Sequence, residues 1–185
     1  MTRRRAKPML GLMLGFAVTA GVQARAAEAP PPPVPAVPQQ TSASFGDWVT
    51  RCARTAEPAT KTICEVAQTL VIKGQQAPIA QIAMGRGEAG LALGLTVLLP
   101  VNIAFDKQPT LGVEGDDRVV KLVFKRCVPA GCIAEAKLEL SSLTAMRGAQ
   151  KAGRLTFTDA AERAIALPVS FRGLAQALDE LNKHG

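Results

Sequence analysis

The sequence predicts an all-β domain, a sandwich or barrel with two short helices, stapled by disulfides. Three observations lead there. Short apolar or alternating segments recur between turn residues, four cysteines sit in a chain that begins with an export signal, and only two stretches carry helical spacing. At 185 residues the chain has room for one domain with a real core.

The first 26 residues read as a secretory signal peptide. A basic start (Arg3, Arg4, Arg5, Lys7) leads into an uncharged, mostly apolar run over 9–22 and then Ala24-Arg25-Ala26. The apolar run, broken by glycines, falls short of the ~20 residues of a spanning helix, so no transmembrane anchor is expected after cleavage. The first cysteine is Cys52, which argues against a lipoprotein signal, and Ala6-Lys7 follows the arginines where a twin-arginine signal has an apolar pair. The formal charge of +7 is concentrated in this leader. Five of the 22 basic residues lie there with no acid among them, leaving 17 against 15 acidic groups. That near-balance gives no electrostatic ground for a nucleic-acid partner.

Residues 27–43 follow as a linker. Pro30 to Pro33, Pro35 and Pro38 favour an extended polyproline conformation that tethers the domain beginning at 44 and running to 185.

Within the domain, strands are expected over 48–53, 62–72, 78–84, 91–99, 110–113, 119–127, 132–140, 154–158 and 163–168. Alternation is clearest from Ala134 to Leu140, where every apolar residue falls on one face. Gly115-Asp116-Asp117-Arg118 reads as a turn. Ser141 or Ser142 is placed to cap a helix that ends at Gly148. Ser170 is placed to cap a second helix carrying Phe171, Leu174, Ala175, Leu178 and Leu181 on one face.

Cys52, Cys64, Cys127 and Cys132 form an even set in an exported chain, so disulfides are expected rather than a metal site. Their spacings do not follow the C-x2-C pattern of zinc sites, and the sole histidine is His184. Of three pairings, Cys52 with Cys64 and Cys127 with Cys132 is expected, because cysteines on adjacent strands or around one turn meet without long loop closure.

No catalytic constellation emerges. The chain has no tyrosine, and no base stands near a serine or a free thiol. Asp116 with Asp117 and Asp179 with Glu180 read as turn and helix-surface carboxylates. Gly85-Arg86-Gly87-Glu88-Ala89-Gly90 satisfies G-x-G-x-x-G, but a β-like run to Leu99 follows it where a dinucleotide site opens a helix. A loop between strands with no cofactor is expected. Trp48 reads as a core anchor.

Phe45-Gly46-Asp47-Trp48, the two cysteine pairs with Phe124-Lys125 before Cys127 and Gly131 before Cys132, and Leu167-Pro168-Val169-Ser170-Phe171-Arg172-Gly173-Leu174 with Ala177-Leu178 together resemble the invasion-associated locus B family. The resemblance covers about residues 44–182. Phe171 and Leu174 depart from the leucine and phenylalanine expected there, and Pro100-Val101-Asn102 from a proline, apolar, glycine turn. The resemblance implies an immunoglobulin-like β-sandwich exported by a Gram-negative bacterium, with a role in host-cell invasion and no catalytic residues. The expected protein is a non-enzymatic interaction module of the periplasm, with outer-membrane association or secretion as alternatives. Its partner would be a host-surface or envelope protein. Chaperone-like envelope maintenance is the second reading, and a hydrolase or carrier the third.

Overall fold

The computed structural model describes residues 39–55, 61–72, 74, 77–86 and 92–184. The signal peptide, the linker up to residue 38 and Gly87 to Gly90 lie outside them.

Five strands follow one another as antiparallel neighbours: β1 (Gln40–Phe45), β2 (Trp48–Arg54), β3 (Thr62–Leu70), β4 (Ala80–Arg86) and β5 (Leu93–Leu99). The chain then crosses to a second sheet with β6 (Thr110–Val113) and β7 (Val119–Lys121), and returns with β8 (Val123–Val128) and β9 (Gly131–Lys137). After α1 (Leu140–Gly148) it adds β10 (Gly153–Thr158) and β11 (Ala164–Val169) to the second sheet and closes with α2 (Leu174–Asn182). The result is a seven-stranded sheet, β1-β2-β3-β4-β5-β9-β8, and a four-stranded one, β11-β10-β6-β7. Two antiparallel sheets enclosing one core make the expected β-sandwich, with strand numbers of its own.

Side-chain alternation decides which face is covered. Register places Thr50 beside Val66, Val66 beside Met84, Met84 beside Leu95, and Ile82 beside Val97, all buried. Leu111, Leu155, Phe157, Leu167 and Val169 meet them from the second sheet within one hydrophobic cluster. α2 packs on β1, β2 and β3. Its buried face is Leu174, Ala177, Leu178 and Leu181, and the Thr50 hydroxyl donates to the Ala177 carbonyl at 3.0 Å.

Five expectations change. Residues 40–43, expected in the linker, are strand: Gln40, Thr41, Ser42 and Ala43 pair with Ala53, Cys52, Arg51 and Thr50. The proline run hid a strand that starts two residues after Pro38. The single strand expected over 119–127 is two, because fully buried Leu122 turns inward and gives its N–H to Pro109 O at 2.9 Å, letting the chain change sheets. The strand expected to reach Leu140 ends at Lys137. Leu140 is 77% exposed and opens α1. Neither Ser141 nor Ser142 caps α1: the Leu143 N–H already bonds Glu139 O at 3.0 Å, so the helix starts earlier, on an N-cap without a side-chain bond. Ser170 does not cap α2 either. Its hydroxyl accepts the Arg172 N–H at 3.2 Å, and the helix begins after Gly173 at φ +88°, so Phe171 stays buried outside it and Ala177 replaces Ala175 on the packed face.

Candidate functional site

Two of the resemblance-bearing segments, Phe45 to Trp48 and Leu167 to Leu174, meet at one end of the sandwich. Gly46, at φ +58°, begins a two-residue turn between β1 and β2 that brings Asp47 and Trp48 against the chain entering α2. The Trp48 indole donates to the Ser170 carbonyl at 2.8 Å, and the Gln68 amide donates to the same oxygen at 3.0 Å. Gln68 Oε1 accepts the Ser170 N–H at 3.2 Å, and the Arg172 carbonyl accepts the Asp47 N–H at 3.1 Å. Arg172 Nη2 meets Asp47 Oδ1 at 2.6 Å. The Arg172 guanidinium, with the Ser170 side chain, holds the Asp47 carboxyl below the usual range. The polar groups of this cluster are engaged in joining the first hairpin and β3 to the chain that enters α2, so its chemistry is that of a latch.

Beside the latch a groove of about 680 Å³ separates β3 from β11. Leu70, Val71, Ile72, Ile165, Leu167 and Pro168 line it, with Asp47, Gln68 and Ser170 at the latch end. Val71 and Ile72 are 53% and 37% exposed, so apolar surface faces solvent at the mouth. The arrangement can receive an apolar segment whose end abuts the latch.

The expected pairings are present: Cys52 is bonded to Cys64 and Cys127 to Cys132. Each joins directly opposed residues, the first across β2 and β3, the second across the turn between β8 and β9. His184 lies close enough to Cys52 and Cys64 to suggest three metal ligands, but both sulfurs are spent in the disulfide and the imidazole is 3.2 Å from Glu180 Oε1.

The carboxylates fall as structural groups. Asp116 accepts the Arg118 guanidinium at 2.8 Å and its backbone N–H at 2.9 Å, which lowers the carboxyl to about 2. Asp117 is exposed beside it. Asp179 pairs with Arg147, and Glu180 with Lys183. Buried Asp159 had no reading from sequence. It ties the turn between β10 and β11, accepting N–H groups of Ala161 and Arg163 at 2.9 Å and Arg163 Nε at 2.7 Å. The Arg163 backbone N–H, then its guanidinium, keep this carboxyl low. The signal was there as an aspartate four residues before an arginine between two strands. Gly85 and Arg86 belong to β4, and the next element is strand β5.

Comparison with known proteins agrees with this anatomy. The model of the invasion associated locus B (IalB) protein family matches residues 48–182, from the latch tryptophan to the end of α2. The chain belongs to the IalB family. Two invasion protein B homologs of Brucella abortus, from strain 2308 and from biovar 1 strain 9-941, are each 22% identical over 172 residues, covering 93% of this chain and 94% of theirs. The crystal structure of invasion associated protein B from Bartonella henselae superposes with a TM-score of 0.66 at 23% identity, over 77% of this chain and 95% of that one. That likeness shows the shared IalB fold. Gly46, Asp47, Trp48, Ser170, Arg172 and Gly173, six of the residues that drew the resemblance, build the latch together with Gln68.

Proposed function

We propose that this IalB-family chain is a non-enzymatic interaction protein of the bacterial envelope that contributes to host-cell invasion by binding a protein partner. The observation that carries the reading is the groove between β3 and β11, where Val71 and Ile72 present apolar side chains to solvent beside a polar latch. Family membership and the names of the Brucella abortus relatives supply the association with invasion. Two disulfides fit a chain that folds outside the reducing cytosol, in the periplasm or beyond it. No helix of the described residues is long and apolar enough to cross a membrane.

The test is binding of the purified chain to host-cell membranes, with membranes of the bacterium's own envelope in parallel. Saturable binding to host membranes that a Val71→Asp, Ile72→Asp double variant loses, while keeping its thermal midpoint, supports the reading. Binding that survives the double variant removes the groove from it. Binding to envelope membranes alone replaces invasion with envelope maintenance.

A further inference from the structure

The two sheets end in four edge strands, and three of them carry a device against strand addition. β7 has only three residues and ends in Lys121. β8 carries Lys125 and Arg126 and is bent by a register shift between Phe124 and Arg126. β11 contains Pro168. Its register with β10, continued by the bond from Asp159 N to Arg163 O, turns the backbone of Ala164, Ala166 and Pro168 away from the sheet. Proline at such a position costs no ladder bond within the chain and denies a donor to any strand outside it.

β1 has none of these. Gln40-Thr41-Ser42-Ala43-Ser44-Phe45 carries no charge and no proline, and all six residues pair with β2 without a shift. The Arg54 N–H bonds Gln39 O at 3.0 Å, which sets the parity: Thr41, Ala43 and Phe45 exchange bonds with β2, while the N–H and C=O of Gln40, Ser42 and Ser44 point away from the sheet. Among the described residues nothing pairs with these three donors and three acceptors. α2 covers the face of this strand and not its free edge: Gln40, Thr41, Ser42 and Ser44 are exposed.

We propose that the free edge of β1 is the contact by which two copies of this chain form a two-fold dimer. With the axis at Ser42, Gln40 stands opposite the partner's Ser44 and Ser42 opposite the partner's Ser42. All the outward groups then pair, and the two seven-stranded sheets become one of fourteen. A second copy fits because the strand opposes no like charges when read against itself, and a serine is small enough for the axis. The nearest charged neighbour, Arg51 of β2, is bonded to Glu65 of its own chain. It stands three strand spacings, roughly 14 Å, from its symmetry mate, beyond the ~8 Å screening length. Assembly stops at two, because the dimer consumes both free β1 edges and leaves β8, with its lysine, arginine and bulge, at each margin.

This inference stands apart from the invasion reading, and either can fail without the other. The test is the mass in solution of the full chain, in the processed form that accumulates after export, by sedimentation equilibrium up to about 100 µM, a range suited to a small interface. The expected result is a monomer–dimer equilibrium. Ser42→Pro gives β1 the device that β11 already has, and is expected to be monomeric with an unchanged circular dichroism spectrum. Ser42→Lys, which sets two like charges at the axis, is expected to weaken the dimer at least tenfold, and decides the matter if the proline variant does not fold. A wild-type chain that stays monomeric throughout, or a dimer that both variants retain, overturns the proposal.

Discussion

Gly173→Ala tests whether the latch positions α2. Gly173 has φ +88°, and a Cβ built on it would fall on the Phe45 carbonyl. The left-handed conformation alone costs an alanine about 1–2 kcal/mol. Relief of the overlap requires the turn between β1 and β2 to draw away from the start of α2, which loosens the bonds from Trp48 and Gln68 to Ser170 O and from Asp47 N to Arg172 O. At a net ~1 kcal/mol each these add about 2–3, for a total of about 3–5 kcal/mol. That is a large share of the ~5–15 kcal/mol that holds a domain together. With a urea slope near 2 kcal/mol/M, the unfolding midpoint should fall by roughly 2 M. Gly148→Ala is the control: this glycine at the end of α1 has no positive φ and nothing within 4 Å of its Cβ position. Alanine there should leave stability unchanged or raise it by up to about 1 kcal/mol. A Gly173→Ala midpoint within about 0.3 M of wild type would refute the idea that this close approach holds the helix.

Replacing both cysteines of a pair by serine should cost about 3 kcal/mol for Cys52 with Cys64 and nearer 2 for Cys127 with Cys132, since the loops closed span 12 and 5 residues; differential scanning calorimetry reads the order, which is reversed if the tighter turn matters more. Asp47, Asp159 and Glu180 are all held below their ordinary values, so their contribution is complete above about pH 4–5 and is lost as pH falls through the lowered values. Urea midpoints should therefore be flat from these groups between pH 5 and 8 and drop in acid, and Asp159→Asn should flatten part of that acid limb while lowering the neutral plateau. Titration with NAD should give no saturable heat, because strand β5 follows the glycine-rich segment; micromolar binding abolished by Gly87→Ala would reverse that reading.

Periodicity carried most of the architecture into the sequence. Strands such as 110–113 and 154–158 show their bounds to within a residue, because turn residues and β-branched or aromatic side chains agree there. The disulfides were legible because each pair is close in sequence. What stayed hidden was tertiary in origin. β1 is mostly polar and exposed, with only Ala43 and Phe45 half-buried, and is held chiefly by pairing to β2, so too little alternation marks it. Leu122 looks like any residue of a nine-residue strand, and only the second sheet explains why it turns inward. The groove draws on residues 69–72 and 164–168, distant in sequence and joined by packing of one sheet on the other. Gln68 is unremarkable on its strand until the Ser170 backbone arrives to accept and donate to its amide.

The sheet change at Leu122 gives the sandwich unequal sides. Along one margin β7 runs straight into β8, so the sheets are joined by the chain itself and cannot part there without breaking the strand. Along the other margin, where β3 faces β11, the join rests on the latch, in which the Ser170 carbonyl is shared by an indole and an amide and the Ser170 N–H bonds Gln68. The molecule is thus a book with a covalent spine and a hydrogen-bonded clasp, and the groove is the opening between the covers. A widening that admits a larger occupant would strain the bond from Trp48 to Ser170, and the fluorescence of this tryptophan would report it without a label.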